Sequence, residues 1–291
     1  MIKSWIEALR LRTLPVSMAG VIAGIATAIM LHSFRPLPAL LCLLFAILAQ
    51  IASNFGNEYY DFKNGIDAKG RTGFRRGVTE GDISPRSMCR ATFITLALAA
   101  VVGCTMLIYG PWWLIIVGII IMLFALAYSA GPYPLSHHGL GDIAVIIFFG
   151  IVPVILTCYL QTTHWQCLTF VLPTSITIGL LAANVLIVNN YRDMEEDASV
   201  GKHTTVVIFG RKVMHLVYLF SGFFGMLIML PVWIHLGMCS IIIPCLYLLI
   251  HLKTWNRLRH TTGVALNPLL GKTALNLFIF SLLFLIASII A

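Results

Sequence analysis

The chain has 291 residues, of which 59% are hydrophobic and only 10% are charged, and its mean hydropathy is +0.93. Soluble domains carry about a quarter charged residues, so this composition excludes a soluble globular protein and indicates a polytopic membrane protein. The formal net charge of +8 is interpreted as a topology signal and an attraction to anionic membrane lipid, and no nucleic-acid partner is expected.

The first residues predict a short helix on the membrane surface. The segment "IKSWIEALR" (2–10) has the amphipathic pattern of an interfacial helix. The chain start lacks a short apolar core followed by small residues at a cleavage site, so we expect no cleaved signal peptide.

Nine apolar runs follow, each close to the 20 or so residues that cross a bilayer core as a helix. They lie at roughly 14–32, 37–56, 89–109, 112–130, 141–160, 168–190, 212–231, 235–252 and 270–290. We therefore expect an all-α fold in which nine transmembrane helices form one bundle and a single domain over residues 1–291. The seven cysteines show no metal-binding spacing, so neither zinc nor disulfides are expected.

The basic residues predict the orientation. In the nine-span arrangement, 18 of the 19 lysines and arginines fall on the side of the N-terminus, and only Arg35 falls on the other side. Such a bias predicts that the N-terminus lies in the cytoplasm and the C-terminus outside. The expected location is the cytoplasmic (inner) membrane. All 11 acidic residues fall on the same cytoplasmic side, which points to a site that needs carboxylates there.

Two similar motifs end the second and sixth predicted spans. "NEYYD" (57–61) and "NNYRD" (189–193) both read N-x-Y-x-D, and spans of equal parity end on the same face. Residues four apart share a helix face, so each motif presents an amide and a carboxylate together, and Asp197 extends the second stripe. The first helix is predicted to end at "KNGID", where Gly65 permits a left-handed exit and Asp67 folds back.

Facing stripes of this kind would form an oxygen-only pocket, which suits Mg²⁺ better than zinc. Magnesium usually takes one or two carboxylates and completes its shell with water and substrate phosphates. Basic residues lie in the same loops, in "KGRTGFRRG" (69–77) and at Lys202, and arginine and lysine bind phosphate oxygens. The pattern thus predicts a diphosphate site, the alternative being ordinary solvated charges at the ends of spans. His137 and His138 are interpreted as loop residues.

With these motifs, the sequence resembles the UbiA-type intramembrane prenyltransferases over essentially its whole length. Within that superfamily it is most similar to the 1,4-dihydroxy-2-naphthoate polyprenyltransferase branch. The similarity rests on "NEYYDFKNGID" (57–67), on "LRLRTLP" (9–15) and on "YSAGPYPLSHHGLGD" (128–142). The sequence departs from the family pattern at Glu58, where Asp is usual, and at Phe74, where Pro is expected.

The resemblance implies a Mg²⁺-dependent transfer of a polyprenyl group from polyprenyl diphosphate to 1,4-dihydroxy-2-naphthoate, with loss of CO₂ and diphosphate. The product would be demethylmenaquinol, on the route to menaquinone. One or two Mg²⁺ ions would be held at the cytoplasmic face by Asn57, Asn189, Asp61, Asp193 and Asp197, with Asp67 either as a further ligand or as a residue that contacts the ligands. Of these, Asp61, Asp193 and Asp197 are the predicted catalytic residues.

The resemblance also implies substrate-binding residues. Arg76, Lys202 and Arg12 are expected to contact the diphosphate, whereas Arg71 and Arg75 are equally explained as topology charges or lipid contacts. Three tyrosines, Tyr59, Tyr60 and Tyr128, could face an allylic cation or simply lie at the membrane interface. Asp142 is predicted either to bind substrate or to cap the fifth span. Asn190 is included among the substrate-binding residues, although the pattern assigns it no role.

Two alternatives stay open at this point. One is another UbiA-type enzyme that uses 4-hydroxybenzoate or homogentisate as its acceptor. The other is a cation-coupled transporter, because repeats and intramembrane acids also mark that class. The transporter reading is disfavoured because no acidic residue lies at the centre of a predicted span.

Overall fold

The computed structural model describes residues 2–67, 72–165 and 168–291, so Lys69, Arg71 and Cys167 lie outside the described residues. Within these ranges the chain forms α-helices and short helical turns and contains no strand, which confirms the all-α prediction. The helices are α1 (Ile2–Leu9), α2 (Leu14–Met30), α3 (Pro36–Lys63), α4 (Pro85–Thr105), α5 (Leu114–Ala127), α6 (Gly141–Val145), α7 (Val152–Thr162), α8 (Leu168–Ser199), α9 (Thr205–Ile228), α10 (Leu230–Leu236), α11 (Ile242–Arg259) and α12 (Asn267–Ile290).

Seven helical segments of the described chain are long and apolar enough to cross a membrane. They are Pro36–Lys63, Pro85–Ile108, Gly141–Thr162, Leu168–Ser199, Thr205–Ile228, Met238–Arg259 and Gly263–Ile290. An eighth is reached if α1 and α2, bent by 44° at their junction, are counted as one span. The predicted fourth span is α5, which has only 14 residues and therefore measures about 21 Å against a hydrocarbon core of about 30 Å. The predicted number of nine spans is not confirmed.

The N-terminal helix is separate from the first long helix, as the amphipathic pattern predicts. Ile2 and Ile6 are exposed, at 79% and 48%, while Ala8 is buried. Trp5 packs edge-on against Phe55 of α3, with ring centroids 5.7 Å apart. The helix therefore docks on the bundle through one face and leaves apolar side chains exposed on another.

Helix α8 lies at the centre of the bundle, and 72% of its most apolar 18-residue window is buried. It packs against α2, α9, α12 and the π-helical segment Ile146–Ile151, which joins α6 to α7. At Gly150 in that turn, a Cβ atom would lie only 2.3 Å from the Cα of Gly179. Two glycines thus permit close contact between backbones, as is common in membrane helix packing.

Both sequence motifs lie inside long helices and near their C-terminal ends. Helix α3 continues through Lys63 and ends at Asn64, followed by Gly65 with a φ of +70°, as predicted. Helix α8 continues to Ser199, so Asn189, Asp193 and Asp197 share one helical face.

Candidate active site

The first motif forms a connected polar cluster on α3. The Asn57 amide nitrogen donates to Asp61 Oδ2 (2.9 Å) and to Ser129 Oγ (2.7 Å). Its carbonyl oxygen accepts hydrogen bonds from Arg76 Nη2 (2.9 Å) and from the Arg10 guanidinium. Asn57 and Asp61 therefore share a face and a set of contacts, as their spacing predicts.

Arg76 attaches the loop after α3 to this cluster. Its guanidinium lies 3.3 Å from Asp67 Oδ2 and 3.7 Å from Asp61 Oδ2, and the residue is only 8% exposed. Its Nη1 is buried and has no hydrogen-bond partner in the described parts of the chain. A buried donor without a partner is costly, so this nitrogen is well suited to an anionic ligand.

The second motif is organised by Arg192, which sequence analysis counted only as a topology charge. Its Nε donates to Asp193 Oδ1 and its Nη2 to Asp193 Oδ2, both at 2.6 Å. The same guanidinium donates to Asn189 Oδ1 and to Asn267 Oδ1, each at 2.9 Å. The sequence feature that could have indicated this role is the position of Arg192 inside the N-x-Y-x-D motif.

Lys202, predicted to contact the diphosphate, pairs with the last acid of the second stripe in this structure. Its Nζ lies 3.2 Å from Asp197 Oδ1, and Asp197 is 6% exposed. Within the second motif and its loop, then, buried carboxylates are held by cationic side chains. Such pairing compensates the cost of removing charges from water.

The loop after the first motif reaches the second motif. The Thr72 backbone N–H and hydroxyl both donate to Glu196 Oε1 of α8, at 2.6 and 2.5 Å. The ring of Phe74 lies beneath the guanidinium of Arg12, whose Cζ is 4.3 Å from the ring centroid. The loop after the first motif therefore contacts the helix that carries the second motif, and Arg12 lies beside this loop.

Tyr128 and Asp142 form a further part of the same region. The partly buried Tyr128 phenol lies within electrostatic range of Asp142, Asp61 and Asp197. Asp142 Oδ2 accepts a hydrogen bond from Thr205 Oγ1 (2.5 Å), and its buried Oδ1 has no hydrogen-bond partner among the described residues. The predicted alternative, that Asp142 caps the fifth span, is wrong because Leu140 holds the cap position and Asp142 lies inside α6.

Glu58 lies within electrostatic range of Asp67, a predicted metal ligand, and its carboxylate also binds the loop backbone. It is buried, and its Oε1 accepts the backbone N–H of Val78 (3.0 Å), which anchors the loop to α3. The family departure at this position therefore has a structural explanation in this chain.

Arg75 forms ion pairs that hold the loop after α3 in place. It pairs with Asp82 (2.5 Å) and Glu7 (3.4 Å), and the hydrogen bond from Ser4 together with Arg75 lowers the pKa of Asp82. These contacts join α1 to the loop and give Arg75 a structural role.

For Asn190, Tyr59 and Tyr60, the described residues show no hydrogen bond to the candidate metal ligands. Asn190 is buried in α8, and its side chain makes no hydrogen bond within the described ranges. Tyr59 and Tyr60 pack edge to face, 4.9 Å between ring centroids. Burial and the nearby Lys202 lower the pKa of His137 to about 4, which leaves its loop imidazole neutral at physiological pH.

The donor set fits magnesium by its chemistry. The candidate ligands are carboxylate and amide oxygens, which Mg²⁺ prefers. Among the described residues, no three acidic, histidine or cysteine side chains form a ready-made metal cluster. A Mg²⁺ ion bound by these oxygens would complete its coordination with water and substrate phosphates.

A mostly apolar cavity lies between α2, α3, α5 and the α6–α7 segment, with Tyr128 in its wall. Its position is not predictable from the sequence, because hydropathy does not identify which helices face each other. Its other lining residues include Val21, Phe45, Leu114, Phe124, Phe148 and Leu160. A hydrocarbon chain could therefore extend from the polar region into the bundle.

The family model described as "UbiA prenyltransferase family" matches residues 17–282. A 1,4-dihydroxy-2-naphthoate octaprenyltransferase of Escherichia coli (strain K12) is 39% identical over 214 residues, which cover 72% of this chain and 69% of that protein. One of the same name from Mycobacterium tuberculosis (strain ATCC 25618 / H37Rv) is 36% identical, covering 74% of this chain and 72% of its own.

Solved structures share the fold at low sequence identity. A UbiA homolog from Archaeoglobus fulgidus bound to DMAPP and Mg²⁺ gives a TM-score of 0.62 at 16% identity, covering 98% of this chain and 97% of its own. The apo structure of a UbiA homolog from Aeropyrum pernix K1 gives a TM-score of 0.67 at 13% identity. The match covers 94% of this chain and 97% of that chain.

Proposed function

This chain belongs to the UbiA prenyltransferase family, and we propose that it prenylates 1,4-dihydroxy-2-naphthoate. In this reaction a polyprenyl group moves from polyprenyl diphosphate to the ring, and diphosphate and CO₂ are released. The product, demethylmenaquinol, is the precursor of menaquinone. Five relatives named 1,4-dihydroxy-2-naphthoate octaprenyltransferase, 30–39% identical over about 70% of the chain, support this acceptor.

The observation that carries the proposal is that the loop after the first amide-and-carboxylate stripe contacts the helix of the second, with basic partners at both stripes and an apolar cavity nearby. One end of that arrangement suits a metal-bound diphosphate and the other suits a lipid tail. Six residues would hold one or two Mg²⁺ ions: Asn57, Asp61, Asp67, Asn189, Asp193 and Asp197. The bound metal would neutralise the negative charge that develops on the leaving diphosphate.

Basic side chains would bind the diphosphate oxygens directly. Arg76 offers a buried nitrogen with no partner among the described residues, next to Asp61 and Asp67. Lys202, beside Asp197, and Arg12, over Phe74, would approach from the second motif and from the start of α2. Together these cations would orient the scissile bond.

The acceptor would lie near Tyr128 and Asp142, at the cavity wall. The buried Asp142 Oδ1 can accept a hydrogen bond from a ring hydroxyl and so orient the naphthoate. The ring carbon bearing the carboxylate would attack the allylic carbon as the bond to diphosphate breaks. Loss of the carboxylate as CO₂ leaves its electron pair in the ring and restores aromaticity.

The same proposal includes a membrane arrangement. Counting α2 and α5 as spans in addition to the seven long segments gives nine. The N-terminus would then lie in the cytoplasm and the C-terminus outside, with the active site at the cytoplasmic face of the inner membrane. Lipid would surround the exposed apolar side chains of the outer helices.

The test is a membrane assay in which one polyprenyl diphosphate is supplied with 1,4-dihydroxy-2-naphthoate, 4-hydroxybenzoate or homogentisate. The products are identified by mass spectrometry. With naphthoate labelled in its carboxyl carbon, we expect labelled CO₂ only when prenyl diphosphate and Mg²⁺ are both present. A prenylated naphthoate that keeps its label would contradict the proposed reaction, and turnover of 4-hydroxybenzoate alone would reassign the acceptor. Cation-driven solute uptake without any prenylated product would favour the transporter.

A further inference from the structure

Phe74 lies between two arginines that belong to different parts of the chain. The Arg12 guanidinium carbon is 4.3 Å from its ring centroid, and that of Arg192 is 5.2 Å away. Arg12 precedes α2, whereas Arg192 is part of the second motif in α8. Both distances are within the range of a cation–π contact.

The loop that carries Phe74 is attached at both ends. On one side, Thr72 donates twice to Glu196 of α8, and its carbonyl oxygen accepts from the Asn267 amide at 3.5 Å. On the other side, Arg76 pairs with Asp67 near the first motif. The ring is therefore held in a defined place between the two motifs.

The two arginines depend on the ring to different degrees. Arg192 is buried and already donates to Asn189, Asp193 and Asn267. Arg12 is exposed, and its guanidinium makes no hydrogen bond or ion pair within the described residues. The face of Phe74 is thus the described contact that orients the Arg12 guanidinium, whose donors stay available to a ligand.

We propose that Phe74 is a positioning residue that holds the Arg12 guanidinium toward the second motif, so that Arg12 can bind the diphosphate of the prenyl donor. The inference rests on the proposed function for the identity of the donor. An aliphatic side chain of similar size would fill the space but would offer no π face to the cation.

The experiment compares Phe74→Leu and Phe74→Tyr in the purified full-length protein. With Phe74→Leu we expect the KM for prenyl diphosphate to rise about 3- to 10-fold, while the KM for the acceptor is unchanged. With Phe74→Tyr, which keeps an aromatic face, the KM should stay within about twofold of the parent. Phe93→Leu, an exposed phenylalanine on α4, is the matched control and should have no effect.

Binding of inorganic pyrophosphate with Mg²⁺, measured by thermal shift, provides a readout independent of turnover. We expect Phe74→Leu to weaken this binding by the same factor, and to have no further effect when Arg12 is already Gln. Equal binding by parent and Phe74→Leu, or equal losses in the Leu and Tyr variants, would overturn the positioning role. If Phe74→Leu does not fold, Phe74→Met takes its place in the same comparison. Failure of the naphthoate assay would overturn the proposed acceptor and leave the pyrophosphate result interpretable.

Discussion

At the scale of single residues, spacing predicted which acids share a helix face in the candidate site but not the side chains that pair with them. The N-x-Y-x-D repeat was enough to bring Asn57 beside Asp61, because four residues make about one helical turn. Arg192 was missed because neighbours in a helix point about 100° apart, and only its long side chain lets it return to Asp193. The role of Glu58 could not be predicted from spacing either, because its partner is a backbone N–H 20 residues away in the chain.

The first prediction concerns the candidate metal ligands. Asn in place of Asp61, Asp193 or Asp197 should lower turnover by at least about 100-fold while the protein remains folded and inserted, because a carboxylate ligand is lost but a hydrogen-bond acceptor is kept. The measurement is prenyl transfer in membranes, with and without EDTA.

Glu195→Gln is the control for this series, because that side chain is 71% exposed and pairs outward with Arg211. Its activity should match that of the parent. Full activity of Asp193→Asn in EDTA-treated membranes would refute the metal site.

A second prediction separates phosphate binding from topology. Arg76→Ala and Lys202→Ala should raise the KM for prenyl diphosphate, lower kcat, or both, by about 10-fold or more, because each removes a charge-assisted contact to the leaving group. Arg259→Ala, whose guanidinium lies over Trp255 at the end of α11, should do neither. Similar losses in all three variants would mean that these charges serve membrane insertion.

At the scale of helices, the apolar runs predicted most elements but not their exact lengths. Helix α3 is longer than its predicted span because the polar motif "NEYYDFK" continues the helix to Lys63, and hydropathy alone ends a span where polarity begins. Helix α5 is shorter than predicted, since Trp112, Trp113 and Tyr128 are hydrophobic by composition but lie outside the regular helix. Close contacts between helices, such as that of Gly150 with Gly179, have no signature in a single sequence.

That glycine contact gives a third prediction. Gly150→Ala would place a Cβ atom 2.3–2.5 Å from backbone atoms of Gly179 and Ser175, which cannot move aside. We expect a loss of about 1–3 kcal/mol in stability, seen as a lower Tm of the detergent-purified protein. At Gly118 of α5 an added Cβ meets nothing within 4 Å, so Gly118→Ala should leave Tm unchanged. An equal Tm for both variants would show that the two backbones are not in contact.

At the scale of the whole molecule, the sequence predicted the helical class and a site at one end of the bundle, and it could not predict the cavity beside that site. The charges are concentrated where the motif helices end, and the cavity is formed by α2, α3, α5 and the α6–α7 segment. Which helices become neighbours depends on packing between distant segments, such as α2 with α7 and with α12. The hydropathy of one segment does not identify the helices that pack against it.

The fourth prediction tests the orientation. If the N-terminus is inside and the C-terminus outside, a cysteine added after Ala291 in a cysteine-free variant should react with a membrane-impermeant maleimide in intact cells. A cysteine placed before Ile2 should react only after the membrane is opened. Labelling of both ends from the same side would require an even number of spans and would exclude nine.

The pairing of each buried acid of the second motif with a cation has a consequence for how the protein is made. A newly synthesised chain enters the membrane before it meets metal or substrate, and bare carboxylates at the ends of apolar helices would oppose that step. Arg192 and Lys202 pair with these carboxylates without any metal, so we expect that insertion does not require Mg²⁺. Arg192→Gln, which removes the bidentate partner of Asp193, should therefore lower the yield of inserted protein. The double variant Arg192→Gln/Asp193→Asn should recover that yield without recovering activity.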